Sequence, residues 1–234
     1  MNLTRGFFTL LLLSIFKLSL FGNYLYKDEL IFNPAFKEEV EKIGSELYSK
    51  TGISLRLLML KELPKKTTIV EYEKDIMQNF NEPTVLLTFS QIDTKVDIFA
   101  SNSDLYAYFD KKQVLSPVAS PVQAFIIALF YSDSLSSFKD TLTNYGGTII
   151  PLLAQKSKDG ELLGKYSGAM FNGYADIAEQ IAASKGVVLE SAVGSANQDA
   201  LLFIKILFYG FILYAIFIYI KRKIYIKRQK NESR

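Results

Sequence analysis

Three aspartates, Asp93, Asp97 and Asp104, fall within the stretch SQIDTKVDIFASNSD, residues 90–104, in an otherwise apolar neighbourhood. Carboxylates gathered this closely suit a hard divalent cation, because calcium takes six or more oxygens and magnesium one or two carboxylates beside its waters. The same residue type also forms turns and caps helices. The chain has no His and no Cys. That removes a cysteine nucleophile, a Ser-His-Asp relay and an ordinary structural zinc site. Any chemistry must come from Asp, Glu, Ser, Thr, Tyr, Lys or Arg.

The elements that hold the aspartates read as a hairpin. Pro83 opens a strand over TVLLTFS, residues 84–90, and a second strand over 95–101 alternates Val96, Ile98 and Ala100 with Asp97, Phe99 and Ser101, as a half-buried edge strand does. Asp93 then lies in the turn and Asp97 on the solvated face. Asp104 starts the next helix, capped through Ser103 or itself. Asp93 and Asp104 are separated by a strand of roughly 25 Å at 3.3 Å per residue, so they cannot share one ion.

Upstream, Asn33 and Pro34 read as a helix cap with proline in the first turn, Phe36, Val40, Ile43 and Leu47 recur at helical spacing, and Gly52 ends the helix. ISLRLLML, residues 53–60, is apolar on both faces and predicts a central strand. A second helix over 69–80 carries Ile69, Tyr72, Ile76 and Phe80 on one stripe and Glu71, Glu73, Lys74 and Asp75 on the other. Beyond Ser103 the pattern is helical over 104–109, 121–131, 135–155 and 166–184. The run VQAFIIALFY, residues 122–131, is too short to span a bilayer and predicts a buried core helix, with membrane contact as the alternative. SSFK, with Ser136 three before Lys139, is a chance match to the serine-lysine hydrolase spacing. NYGGT, residues 144–148, follows no strand and lacks the Lys and Ser or Thr of a phosphate-binding loop, which leaves a helix break.

Charge and hydropathy divide the chain further. Residues 1–22 place Arg5 before an apolar run that ends in small residues, the order of a secretory signal. Residues 201–220 are about as long and apolar as a membrane-spanning helix, with Lys205 their only charge. The tail, 221–234, carries seven Lys and Arg against one Glu, a formal +6, whereas 23–200 carries 17 Lys and Arg against 23 Asp and Glu, a formal −6. This split predicts a signal over 1–22, an exported domain over 23–185, a tether over 186–200, a single span over 201–220 and a cytoplasmic tail. The basic tail reads as a topology signal beside lipid rather than a nucleic-acid site.

The order helix, strand, helix, strand, strand, helices, between a signal and a terminal span, resembles the TPM-domain family of exported bacterial proteins and their thylakoid-lumen relatives. The resemblance is carried by FKEEVEKIGSELYSKTGISLRLLML, YEKDIMQNF, PTVLLTFSQIDTKVDIFAS and TIIPLLAQ…GKYSGAMFNGYADIAEQI. It implies an α/β fold, a small mixed sheet packed with helices. It also implies a site that some relatives use for calcium, magnesium or a phosphate ester, here mapped onto Asp93, Asp97 and Asp104. The family closes its hairpin with Gly-x-Gly before an acidic residue; Ser101, Asn102 and Ser103 precede Asp104 here. The expected function is a non-catalytic assembly or maintenance factor for membrane or envelope proteins, binding no cofactor. It would be held by one span in the bacterial inner membrane with its domain in the periplasm. The alternative is a metal-dependent phosphatase of the same type.

Overall fold

A computed structural model describes residues 22–158, 160–192 and 207–225. Its larger unit, which ends at Ala192, has an α/β fold built on a four-stranded mixed sheet. In chain order come β1 (Leu25–Asp28), α1 (Pro34–Thr51), β2 (Ser54–Leu60), α2 (Ile69–Met77), β3 (Thr84–Ser90) and β4 (Lys95–Ala100). A 3-10 turn (Ser103–Ala107) follows, then α3 (Lys111–Val114), α4 (Pro121–Tyr131), α5 (Leu135–Thr143), α6 (Ile150–Leu153) and α7 (Leu162–Ser184). The strands lie side by side in sequence order. β1, β2 and β3 are parallel, and β4 folds back antiparallel on β3.

The local signals act where the sequence puts them. Asn33 accepts a hydrogen bond from the Ala35 N–H, Pro34 fills the first turn of α1, and Gly52 ends it at φ 72°. Thr68 and Glu71 form a reciprocal capping box at the start of α2. Odd-numbered residues of β2 and β3 face the main core, where Leu55, Leu57, Met59, Val85, Leu87 and Phe89 meet α1 and α7. The opposite face is thinner: Leu58, Leu60 and Leu86 lie beneath Ile69, Tyr72 and Ile76 of α2. Both parallel connections step the same way across the sheet while α1 and α2 cover opposite faces, so the two crossovers differ in hand. One of them runs against the usual right-handed preference.

Four expectations change. The strand β1 was absent from the sequence reading; at four residues on a sheet edge it is too short for alternation to show. The helix expected over 135–155 is broken. Asn144 caps α5, and the Gly146 and Gly147 N–H groups both donate to the Val118 carbonyl at 2.8 and 3.0 Å. A Cβ at Gly147 would stand 1.8 Å from the Ser116 carbonyl oxygen, so this glycine serves close backbone approach. The helix α4 is formed as expected but is not buried: only Ala124 and Ala128 are covered. Glu73, assigned to the polar stripe of α2, is fully buried.

The second unit is described only over 207–225, which is helical and exposed throughout. No helix among the described residues is long and apolar enough to cross a membrane. Residues 201–206 of the expected span lie outside the described residues, as do 1–21 of the expected signal and 193–200 of the tether.

Candidate functional site

Each of the three aspartates has its own structural partners. Asp93, in the β3–β4 turn, accepts from the Leu63 N–H at 2.8 Å and the Ser90 hydroxyl at 2.5 Å, which pins the turn to the loop after β2. The Ser90 hydroxyl, followed by the Leu63 N–H, holds its carboxyl below the usual range. Asp104 is exposed on the 3-10 turn and does not cap it. Asn102 does, accepting from the N–H groups of Asp104 and Leu105 at 3.0 and 3.2 Å.

Asp97 is the departure. It was read as a solvated strand position, yet its side chain is only 15% exposed and meets the Lys111 ammonium at 2.5 Å. Lys111 also donates to the Ile98 carbonyl at 2.7 Å and lies 5.9 Å from the Tyr106 ring centre. An ammonium ion against Asp97, and two protein donors against Asp93, leave these carboxylates poorly suited to a divalent cation. Among the described residues no three acidic side chains are grouped to hold one.

The structure instead sets Asp97 beside two groups from other elements, a hydroxyl and a second acid. Thr88 is its cross-strand partner on β3, and Glu73 reaches the same face from α2. Neither Glu73 carboxyl oxygen nor the Thr88 hydroxyl has a well-formed hydrogen bond. Burial pushes the Glu73 carboxyl up to about 8; Asp97 adds to the rise, and Thr88 and Lys111 oppose it. A protonated carboxyl, a hydroxyl, a carboxylate and an ammonium therefore stand at the sheet edge under α2. The cluster stores a proton at neutral pH and is closed to solvent on the Glu73 side. A signal for Glu73 existed: it is four after Ile69 and three before Ile76, the spacing of a shared helix face.

Lys111 connects this cluster to an open concavity of the domain. An open groove of about 1540 Å³ runs between the 3-10 turn, α3, the α4–α5 hairpin and the end of α7. Tyr108, Phe109, Leu115, Val118 and Ile127 supply its apolar lining, and Asp110, Lys111, Lys112 and Asp140 its charges. Ala183, exposed near the end of α7, opens onto the groove. Two interactions hold the end of α7 in place. Ser184 donates to the Tyr108 carbonyl at 2.8 Å, and the Lys185 ammonium lies 3.8 Å from the Tyr108 ring centre. The volume exceeds the roughly 300–1,000 Å³ of small-molecule pockets, and the groove is open rather than enclosed, a shape that suits a polypeptide segment.

Comparison of the chain with protein-family models, with curated proteins and with solved structures finds no match.

Proposed function

We propose that this chain is a membrane-tethered extracytoplasmic domain of TPM type that binds segments of membrane or envelope proteins, as a non-catalytic assembly or maintenance factor. The groove between α3, the α4–α5 hairpin and α7 carries the reading: it has an apolar floor, charges at its margin and a volume beyond that of a small-molecule pocket. The export signal, the apolar stretch 201–220 and the opposed charges of domain and tail support the location. The phosphatase reading is weaker because the carboxylates it needs are engaged, Asp97 by Lys111 and Asp93 by Ser90 and Leu63.

Filling the groove tests the reading. Ala183→Trp adds bulk at an exposed position, so the fold should tolerate it while the groove closes. Affinity capture from solubilised membranes should recover a defined membrane or envelope protein with the wild type and lose it with Ala183→Trp. Equal recovery with both would rule the groove out. Metal-dependent hydrolysis of a phosphate monoester, abolished by Asp97→Asn, would establish the phosphatase instead.

A further inference from the structure

The α4–α5 hairpin presents an apolar face that the domain itself does not cover. Val122, Phe125, Ile126, Leu129 and Phe130 recur at helical spacing along one side of α4, and each is at least half exposed, Phe130 reaching 73%. Tyr131 and Leu135, at the end of α4 and the start of α5, are 76% and 86% exposed. The five α4 side chains together expose on the order of 550 Å², at the upper end of the roughly 300–600 Å² of the largest apolar patch on an ordinary soluble surface, a size that is often functional. The chief packing partner of α4 is α5.

We infer that this face lies in the interfacial region of a lipid bilayer, the same bilayer that the proposed span, residues 201–220, would cross. The inference rests on the reading of the chain as membrane-tethered and adds a second contact to it. Three observations favour lipid over a protein or a second copy. No charged residue occurs in Pro121–Tyr131. The helix has one side chain with strong hydrogen-bonding demand besides its terminal tyrosine, Gln123, and this is turned back on the backbone. Its Oε1 accepts from the Ala119 N–H at 3.1 Å, while the Ser120 hydroxyl accepts from the Gln123 N–H at 3.2 Å. The Ala119 and Gln123 N–H groups are thus met within the chain, which lowers the cost of a medium that supplies no partners. The third observation is reach. Residues 193–206 join the domain to the helical residues 207–225, and a chain of that length extends at most about 50 Å. A domain so tethered stays within that reach of the bilayer that residues 201–220 would cross.

The chain has no cysteine, so single-cysteine reporters are available without background. The full chain, reconstituted in vesicles of phosphatidylethanolamine and phosphatidylglycerol, is labelled with a small fluorophore at Phe130→Cys, at Ile218→Cys and at Glu38→Cys, an exposed position on α1. Nitroxide-bearing lipids should quench most of the emission from Phe130→Cys and Ile218→Cys and little from Glu38→Cys. If Ile218→Cys is quenched and Phe130→Cys behaves as Glu38→Cys does, α4 does not contact lipid although the tether stands. If Ile218→Cys is not quenched, the tethered reading itself fails. Disulfide-linked dimers of Phe130→Cys without lipid quenching would assign the face to a second copy and overturn the inference.

Discussion

At neutral pH the folded chain keeps a proton on Glu73 that the unfolded chain gives up, because burial pushes this carboxyl up to about 8 from an ordinary 4.5. Between those values the folded state binds more protons, so stability is greatest at the acidic end and falls as pH rises. A shift of this size corresponds to about 5 kcal/mol across the window. Melting temperatures from pH 5 to 8.5 should therefore decline in the wild type and decline much less in Glu73→Gln, which cannot ionise. An unchanged slope would mean that Glu73 is not the group responsible. The neighbouring acids give a second test. Asp97→Asn leaves Lys111 without its partner in a mostly covered place and should cost about 1–3 kcal/mol. Asp104→Ala should stay within about 0.5 kcal/mol because Asn102 makes the cap, and Asn102→Ala should cost about 1 kcal/mol. Denaturant melts of the three variants rank them; an insensitive Asp97→Asn would contradict the pairing. The sequence shows which residues are acidic but not what opposes them. Lys111 is fourteen residues from Asp97, and no periodicity connects the two.

Elements were legible where one local rule acted alone. β3 is buried on both faces and bounded by Pro83 and the Asp93 turn, and it appears over residues 84–90, the apolar run expected after Pro83. α1 has its cap, its proline and its terminal glycine. Tertiary contacts decided the rest. The apolar run of α4 carries the composition of a core helix, and only the fold shows that no layer covers it. Gly44, in the middle of α1, is another such case: helix propensity alone favours alanine there by about 1 kcal/mol. A Cβ at Gly44 would come within 2.4 Å of the Tyr24 ring and 2.5 Å of the Tyr174 hydroxyl. That hydroxyl donates to the Leu55 carbonyl at 2.8 Å and ties α7 to β2. Overpacking of this kind typically costs 1–3 kcal/mol, and here the clash falls on two buried rings, so Gly44→Ala should be net destabilising by about 1 kcal/mol. A rise in melting temperature for Gly44→Ala would show that Tyr24 and Tyr174 can give way.

For the whole molecule, charge and anchorage belong together. The stretch 23–200 is acidic and the tail basic, and under the proposed tethering this distribution would leave the tail on the cytoplasmic side and the domain outside. The end of the domain is itself fastened. Glu46 accepts from the N–H groups of Glu190 and Ser191 at 2.7 and 2.8 Å, and Lys50 donates to the Val188 carbonyl at 2.8 Å. Burial would raise the Glu46 carboxyl, but Lys50, Ser191 and these N–H donors outweigh it and bring it down to about 2. The chain therefore leaves the domain from a fixed point on α1. The two ends of this arrangement are reported most directly by cysteine accessibility in cells, with Ala183→Cys in the groove and Ser233→Cys in the tail. With the outer envelope permeabilised, a membrane-impermeant maleimide should label Ala183→Cys at once and Ser233→Cys only after the inner membrane is broken. Labelling of Ser233→Cys in intact cells, with Ala183→Cys protected until lysis, would contradict an exported, membrane-tethered domain.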